Sequence, residues 1–225
     1  MNSSADGAIL ESLLEGFVAR TDGTTRSLAL YAAAVAVCRT SVLDRAVACA
    51  VRHQVSELQL YEIVLQSYLF LGFPRMLEAA QHLNQILPPS PRKACTHAIT
   101  TQESETWFNR GMALYRRVYG SNHQLLKERV ELFAPEIFRW MIVEGYGKVL
   151  SRPGLDSTVR ELAIVAMLMM ENRERQLHSH LKGALNVGAT PELVRQVVED
   201  IGPAAGEGYQ TAQRLLDNVL NEPSR

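Results

Sequence analysis

The sequence lacks most of what would mark a secreted, membrane-bound or nucleic-acid-binding chain. Cysteine is scarce: Cys38, Cys49 and Cys95 are the only three in 225 residues, and they form no C-x-x-C pair. Neither a disulfide framework nor a cysteine metal site is expected from that number and spacing. Cys38 and Cys49 lie in apolar helical surroundings and read as buried, inert thiols. No apolar run reaches the 18 or so residues of a membrane span. The longest, Leu28 to Cys38, is alanine-rich and reads as a helix packed on all sides. The first seven residues are polar, so no secretion signal is expected, and the compartment expected is the cytoplasm.

An excess of charge is missing too. The chain carries 23 basic and 24 acidic residues, a net charge of −1, which offers no field for nucleic acid or an anionic membrane. There is no glycine-rich phosphate loop, dinucleotide fingerprint or G-x-S-x-G elbow. Histidines 53, 82, 97 and 123 lack metal-ligand spacing. His178-x-His180 is not a helical chelate either, because helical neighbours lie three or four residues apart. No metal is expected.

What is present is helical periodicity. With 47% hydrophobic and 21% charged residues the composition is globular, and the length suffices for one large domain or two small ones. Sustained alternation of apolar and polar residues is absent, so the fold class expected is all-α. Ile9, Leu10, Leu13, Leu14 and Phe17 mark a first helix. The pattern then predicts helices over residues 25–38, 41–52, 56–72, 74–86, 103–119, 133–149, 156–171, 174–187, 191–201 and 207–220. Gly145 and Gly147 are expected to break the helix over 133–149, and Thr190-Pro191-Glu192 is a strong helix start. Pro88-Pro89-Ser90-Pro91-Arg92-Lys93 is the natural linker.

The two halves also repeat. At a constant offset of 134 residues (158 − 24), Thr24 falls on Thr158, Arg26 on Arg160, Leu28-Ala29 on Leu162-Ala163 and Ala32 on Ala166. Arg39 falls on Arg173, Leu43 on Leu177, Ala50 on Ala184, Ser56 on Thr190 and Gly72 on Gly206. One ungapped register through three helices points to a tandem duplication. The expected organisation is a degenerate first unit over 1–86, a linker over 87–102 and a second unit over 103–225.

The units differ in their polar residues. Glu161 and His180 of the second stand against Ser27 and Ala46 of the first. Two helices joined by a short turn pack antiparallel, so Glu161 and His180 can face each other. A carboxylate beside an imidazole orients the ring, a usual arrangement for a general acid or base. The alternative is that Glu161 merely suits a helix start and His180 satisfies a core hydrogen bond. Arg152, Arg160 and Arg173 add positive charge around the same helix pair and could clamp a small anion's carboxylates. His178 should face the surface. Trp107 and Trp140 read as core or interface anchors.

Residues 108–200 resemble the carboxymuconolactone decarboxylase family of the wider AhpD-like superfamily. The similar segments are Gly111 to Gly120, Phe133-Ala134-Pro135, Tyr146-Gly147, Ser151 to Leu155, Arg160 to Leu168, Asn172-Arg173, His180-Leu181 and Gly188 to Glu192. The resemblance implies an AhpD-like helical fold. Peroxidase members carry a Glu, a C-x-x-C pair and a His. That pattern keeps Glu161 and His180 but puts Arg173 and Gln176 where the cysteines would stand, so no dithiol cycle is expected. Decarboxylase members use no cofactor and act on a small carboxylated lactone. By that likeness His180 would supply a proton, Glu161 would set its state, and Arg152, Arg173, Tyr146 and Gln176 would bind substrate. Tyr146 stands where the family usually has Trp, and Glu207-Gly208-Tyr209 replaces a hydrophobic turn with proline. The alternative function is a non-catalytic member that binds a small molecule or a partner. Six-unit rings among relatives imply a trimer of this two-unit chain, or a dimer, with the apolar helices 28–38 and 162–170 supplying the interfaces.

Overall fold

The computed structural model describes residues 3–87 and 98–221, with side chains from residue 7 onward. The proposed linker prolines, with Cys95 and His97, lie outside the described residues. Among the described residues there are helices and turns and no strand, and the chain has the all-α, AhpD-like fold.

The first half contains α1 (Ser3–Gly16), α2 (Gly23–Val37), α3 (Thr40–Arg52) and α4 (Glu57–Ile86). Ser56 and Gln59 close a capping box at the start of α4. Gly72, at φ 81° and ψ 164°, kinks α4 just before Pro74. Only glycine reaches that backbone region without strain.

The second half contains α5 (Thr101–Tyr119), α6 (His123–Phe133) and α7 (Pro135–Trp140). A π-helical segment, Met141–Leu150, continues α7 directly. Then come α8 (Ser157–Met170), α9 (Glu174–Asn186), α10 (Pro191–Ala205) and α11 (Glu207–Asn221). Asp156 caps α8, and Thr190, followed by Pro191, caps α10.

Three sequence expectations are corrected. Helix α6 lies in a stretch whose periodicity is too weak to announce it. Gly145 and Gly147 do not break their helix; they sit within its π-helical turn. A Cβ on Gly147 would run into the backbone carbonyl of Trp107, so the glycine is what lets α5 pack backbone to backbone against this segment. Finally, α2 and α8 do not present interfaces to another subunit. They cross at the centre of the chain and are buried from Ser27 to Ala36 and from Arg160 to Met169. The alanines of α2 leave room for the bulkier methionine and leucine side chains of α8.

The crossing is reciprocal. α2 packs on α10, and α8 packs on α4. Arg26 of α2 donates two hydrogen bonds of 2.7 Å to Asp200 of α10. Arg160 of α8 donates to Glu62 (2.8 Å) and Gln66 (3.1 Å) of α4. At the 134-residue offset Arg26 answers to Arg160, Glu62 to Gln196 and Gln66 to Asp200, with acid and amide exchanged. Left-handed backbone recurs at the same spacing: Cys38 (φ 54°) and Asn172 (φ 48°), Gln54 (61°) and Gly188 (115°).

Candidate functional site

The α8–α9 hairpin sets the site. Its turn runs through Asn172, whose left-handed backbone suits asparagine. Antiparallel packing brings Glu161, in the second turn of α8, alongside His180, in the middle of α9. His180 Nδ1 lies 2.8 Å from Glu161 Oε2, and the two residues are only 5% and 3% exposed. Gly183 makes space for this carboxylate. A Cβ at that position would sit 2.7 Å from Glu161 Oε2 and 2.8 Å from Val118 Cγ1.

Aromatic rings enclose the imidazole. Phe70 of α4 meets it edge-on at 5.5 Å between centroids, and Tyr119 at the end of α5 approaches to 6.4 Å. The Tyr146 hydroxyl donates to the Tyr119 hydroxyl at 2.9 Å. Burial raises both phenols above their ordinary value, and the Glu161 charge adds to the rise, so both stay protonated across the working pH range. Behind them Tyr115 donates to the His123 carbonyl at 2.7 Å, and burial pushes its hydroxyl up to about 12.

The arginines are engaged elsewhere. Arg152, half-exposed, forks onto Glu62 with Nε at 3.0 Å and Nη2 at 2.9 Å from Oε1. Arg160 is buried on the α4 side, bound to Glu62, Gln66 and the Arg152 carbonyl. Desolvation lowers its affinity for its proton while Glu62 opposes that. Its Nε finds no partner among the described residues. Arg173 is exposed at the start of α9, 3.6 Å from Glu171. Gln176 is exposed one turn before His180 on the same helix face. Thus Glu161, His180 and, through Tyr119, Tyr146 come together, whereas Arg152, Arg160 and Arg173 do not join them. Among the described residues no group of three His, Cys, Asp or Glu side chains is placed to hold a metal. No helix there is long and apolar enough to cross a membrane.

Residues 135–217, which carry both members of the pair, match the family model described as the carboxymuconolactone decarboxylase family. Over that span the chain is similar to that family. Peroxisomal protein 2 of Schizosaccharomyces pombe is 29% identical over 153 residues, covering 66% of this chain and 70% of the relative. The 4-carboxymuconolactone decarboxylase of Acinetobacter baylyi is 27% identical over 120 residues, 52% of this chain and 90% of that one. Peroxisomal protein 2 of Saccharomyces cerevisiae is 28% identical over 102 residues, 45% of this chain and 36% of that one.

Two walls of this candidate site lie outside the matched span. Phe70 and Tyr119 were not singled out in the sequence, because nothing near either one points along the chain to His180. Gly183 was also passed over, although a glycine inside a helix costs about 1 kcal/mol and so asks for a reason. The unusual Glu207-Gly208-Tyr209 has a packing reason: Gly208 brings α11 onto the backbone of Met169, and the Tyr209 ring covers Gly202.

Proposed function

We propose that this family member carries out cofactor-free acid–base chemistry, with decarboxylation of a small carboxylated lactone as the leading reaction. The observation that carries this reading is the buried 2.8 Å contact between His180 and Glu161, walled by aromatic rings. An ion pair or polar pair so desolvated has a cost to stability that a purely structural core would avoid. With Nδ1 held by Glu161, Nε2 is the nitrogen left to meet a substrate. The carbon–carboxylate bond of the lactone would break, its electron pair entering the conjugated ring system as CO₂ leaves. The protonated imidazole would then deliver the Nε2 proton to carbon and be recharged by solvent. Entry past Gln176 and Arg173, on the exposed first turns of the same face, would bring the substrate's remaining charge near a guanidinium.

The second reading, a binding protein without turnover, is favoured by the commitment of Arg152 to Glu62 and by the enclosure of His180. The test is turnover of 4-carboxymuconolactone, followed by CO₂ release. His180→Ala should lower kcat at least 100-fold, and Glu161→Gln should do the same with the helical circular dichroism unchanged. No turnover by the parent chain would leave only the binding reading.

We further propose that the chain is a tandem duplication with units over 1–86 and 103–225, supported by the reciprocal arginine contacts and the repeated left-handed turns. The assembly proposed is a trimer or a dimer, through a surface other than α2 and α8. Leu132, Phe133, Ile137 and Trp140, all exposed on α6 and α7, support such a surface. Light scattering on the purified protein decides between these and a monomer. The compartment proposed is the cytoplasm, to be set against the two relatives named as peroxisomal by imaging a tagged chain.

A further inference from the structure

A cavity of about 200 Å³ lies between the end of α5, α6 and α9. On α9 it takes His178, Ser179, Lys182 and Asn186, which at 100° per residue point away from the face that carries His180. It is therefore separate from the acid–base pair, and Tyr119 is the wall between them, lining the cavity while its ring edge approaches His180.

The walls have two characters. Val118, Leu125 and Leu126 are apolar, whereas Arg129 and Lys182 bring positive charge, and no carboxylate lines the space. Arg129 makes no ion pair among the described residues. Asn186 donates to the Val118 carbonyl at 2.8 Å and so ties α9 to the end of α5, which fixes the floor. At water's share of about 30 Å³ each, the volume holds roughly seven non-hydrogen atoms. Arg129 and Leu125 are exposed at the rim; a bare anion would use only the cations and a neutral apolar molecule only the leucines, whereas a short carboxylate uses both.

We propose that this cavity binds a small organic carboxylate, its head on Arg129 and Lys182 and its short apolar body against Leu125 and Leu126. The site is independent of the acid–base reading above. Titration with butyrate, followed by the amide resonances of Ser179 and Asn186, is the test, with 1-butanol and inorganic phosphate as controls. Butyrate should give a saturable shift, and both controls should bind at least 5-fold more weakly. Arg129→Gln should weaken butyrate 5- to 10-fold and leave butanol unchanged, while Arg129→Lys should keep most of the affinity. Equal binding of phosphate, an indifferent Arg129→Gln, or no saturable shift would each overturn the proposal. His180→Ala should leave butyrate binding as it was; loss there would put the ligand in the acid–base site instead and overturn it as well.

Discussion

The two halves of the chain answer the same structural problem with different residues. Where the second half has Glu161, His180 and Gly183, the first has Ser27, Ala46 and Cys49 at the 134-residue offset. Ser27 is buried and satisfied within its own helix, donating to the Thr24 carbonyl at 3.0 Å. Ala46 and Cys49 are fully buried and apolar where the second half has an imidazole and the glycine that makes room for a carboxylate. The three positions change together, because a buried carboxylate needs both a partner and room. The first half instead contributes to the second: Phe70 covers His180, and Glu62 and Gln66 hold the arginines of the α8 side.

The contrast is sharpest at the arginine pairs, and the largest effect is expected there. Glu62→Ala leaves Arg160 buried without its counter-charge, and should cost about 3–5 kcal/mol in urea denaturation. Its counterpart Asp200→Ala frees the less enclosed Arg26 and should cost about 2 kcal/mol. Equal costs would mean that the two crossings bear the same load, and the asymmetry described above would fail.

Cys38 offers a second comparison: read as buried like Cys49 of the next helix, it is only partly so, whereas Cys49 is fully buried. Burial, with the hydrogen bond to Glu78, pushes the Cys38 thiol up to about 11. At pH 8 only about one thousandth of it is thiolate, the reactive form. Alkylation by iodoacetamide should therefore be slow at pH 8 and speed up about tenfold per pH unit until pH nears 11. Rapid labelling at pH 8 would contradict this environment.

Gly183→Ala presses a methyl group against the Glu161 carboxylate and Val118, and should destabilise by about 1–3 kcal/mol. Adding Glu161→Ser, the first half's solution, should recover most of that loss, and a double-mutant cycle reads the coupling. Additive costs would show that Gly183 serves Val118 alone. The smallest effect belongs to Arg173→Ala, exposed and only loosely paired, which should change stability by less than about 0.5 kcal/mol. A fall in lactone turnover without such a stability change would assign Arg173 to substrate rather than to the fold.

Much of the fold was legible because helices announce themselves locally. Periodic apolar residues and the caps at Ser56, Asp156 and Thr190 depend on neighbours within a turn or two. The exceptions follow from the same physics: α6 has few core-facing residues, with Val130 its buried one, and so carries a weak periodic signal. Gly145 and Gly147 read as helix breakers until their packing against α5 is known. The exposed Trp140 likewise cannot be placed by its apolar neighbours alone.

By itself, then, the sequence determined the helical class, the main helix boundaries and the pairing of Glu161 with His180 as something a hairpin could allow. Each of these rests on short-range spacing along the chain. Only the tertiary structure decided which charges are already neutralised and which rings close the site. Arg152 and Arg160 look available for a ligand in the sequence, yet Glu62, about 90 residues earlier, holds both. Phe70 reaches His180 across 110 residues. Such partners are chosen by how helices pack, and packing depends on the whole buried surface rather than on any local run of residues.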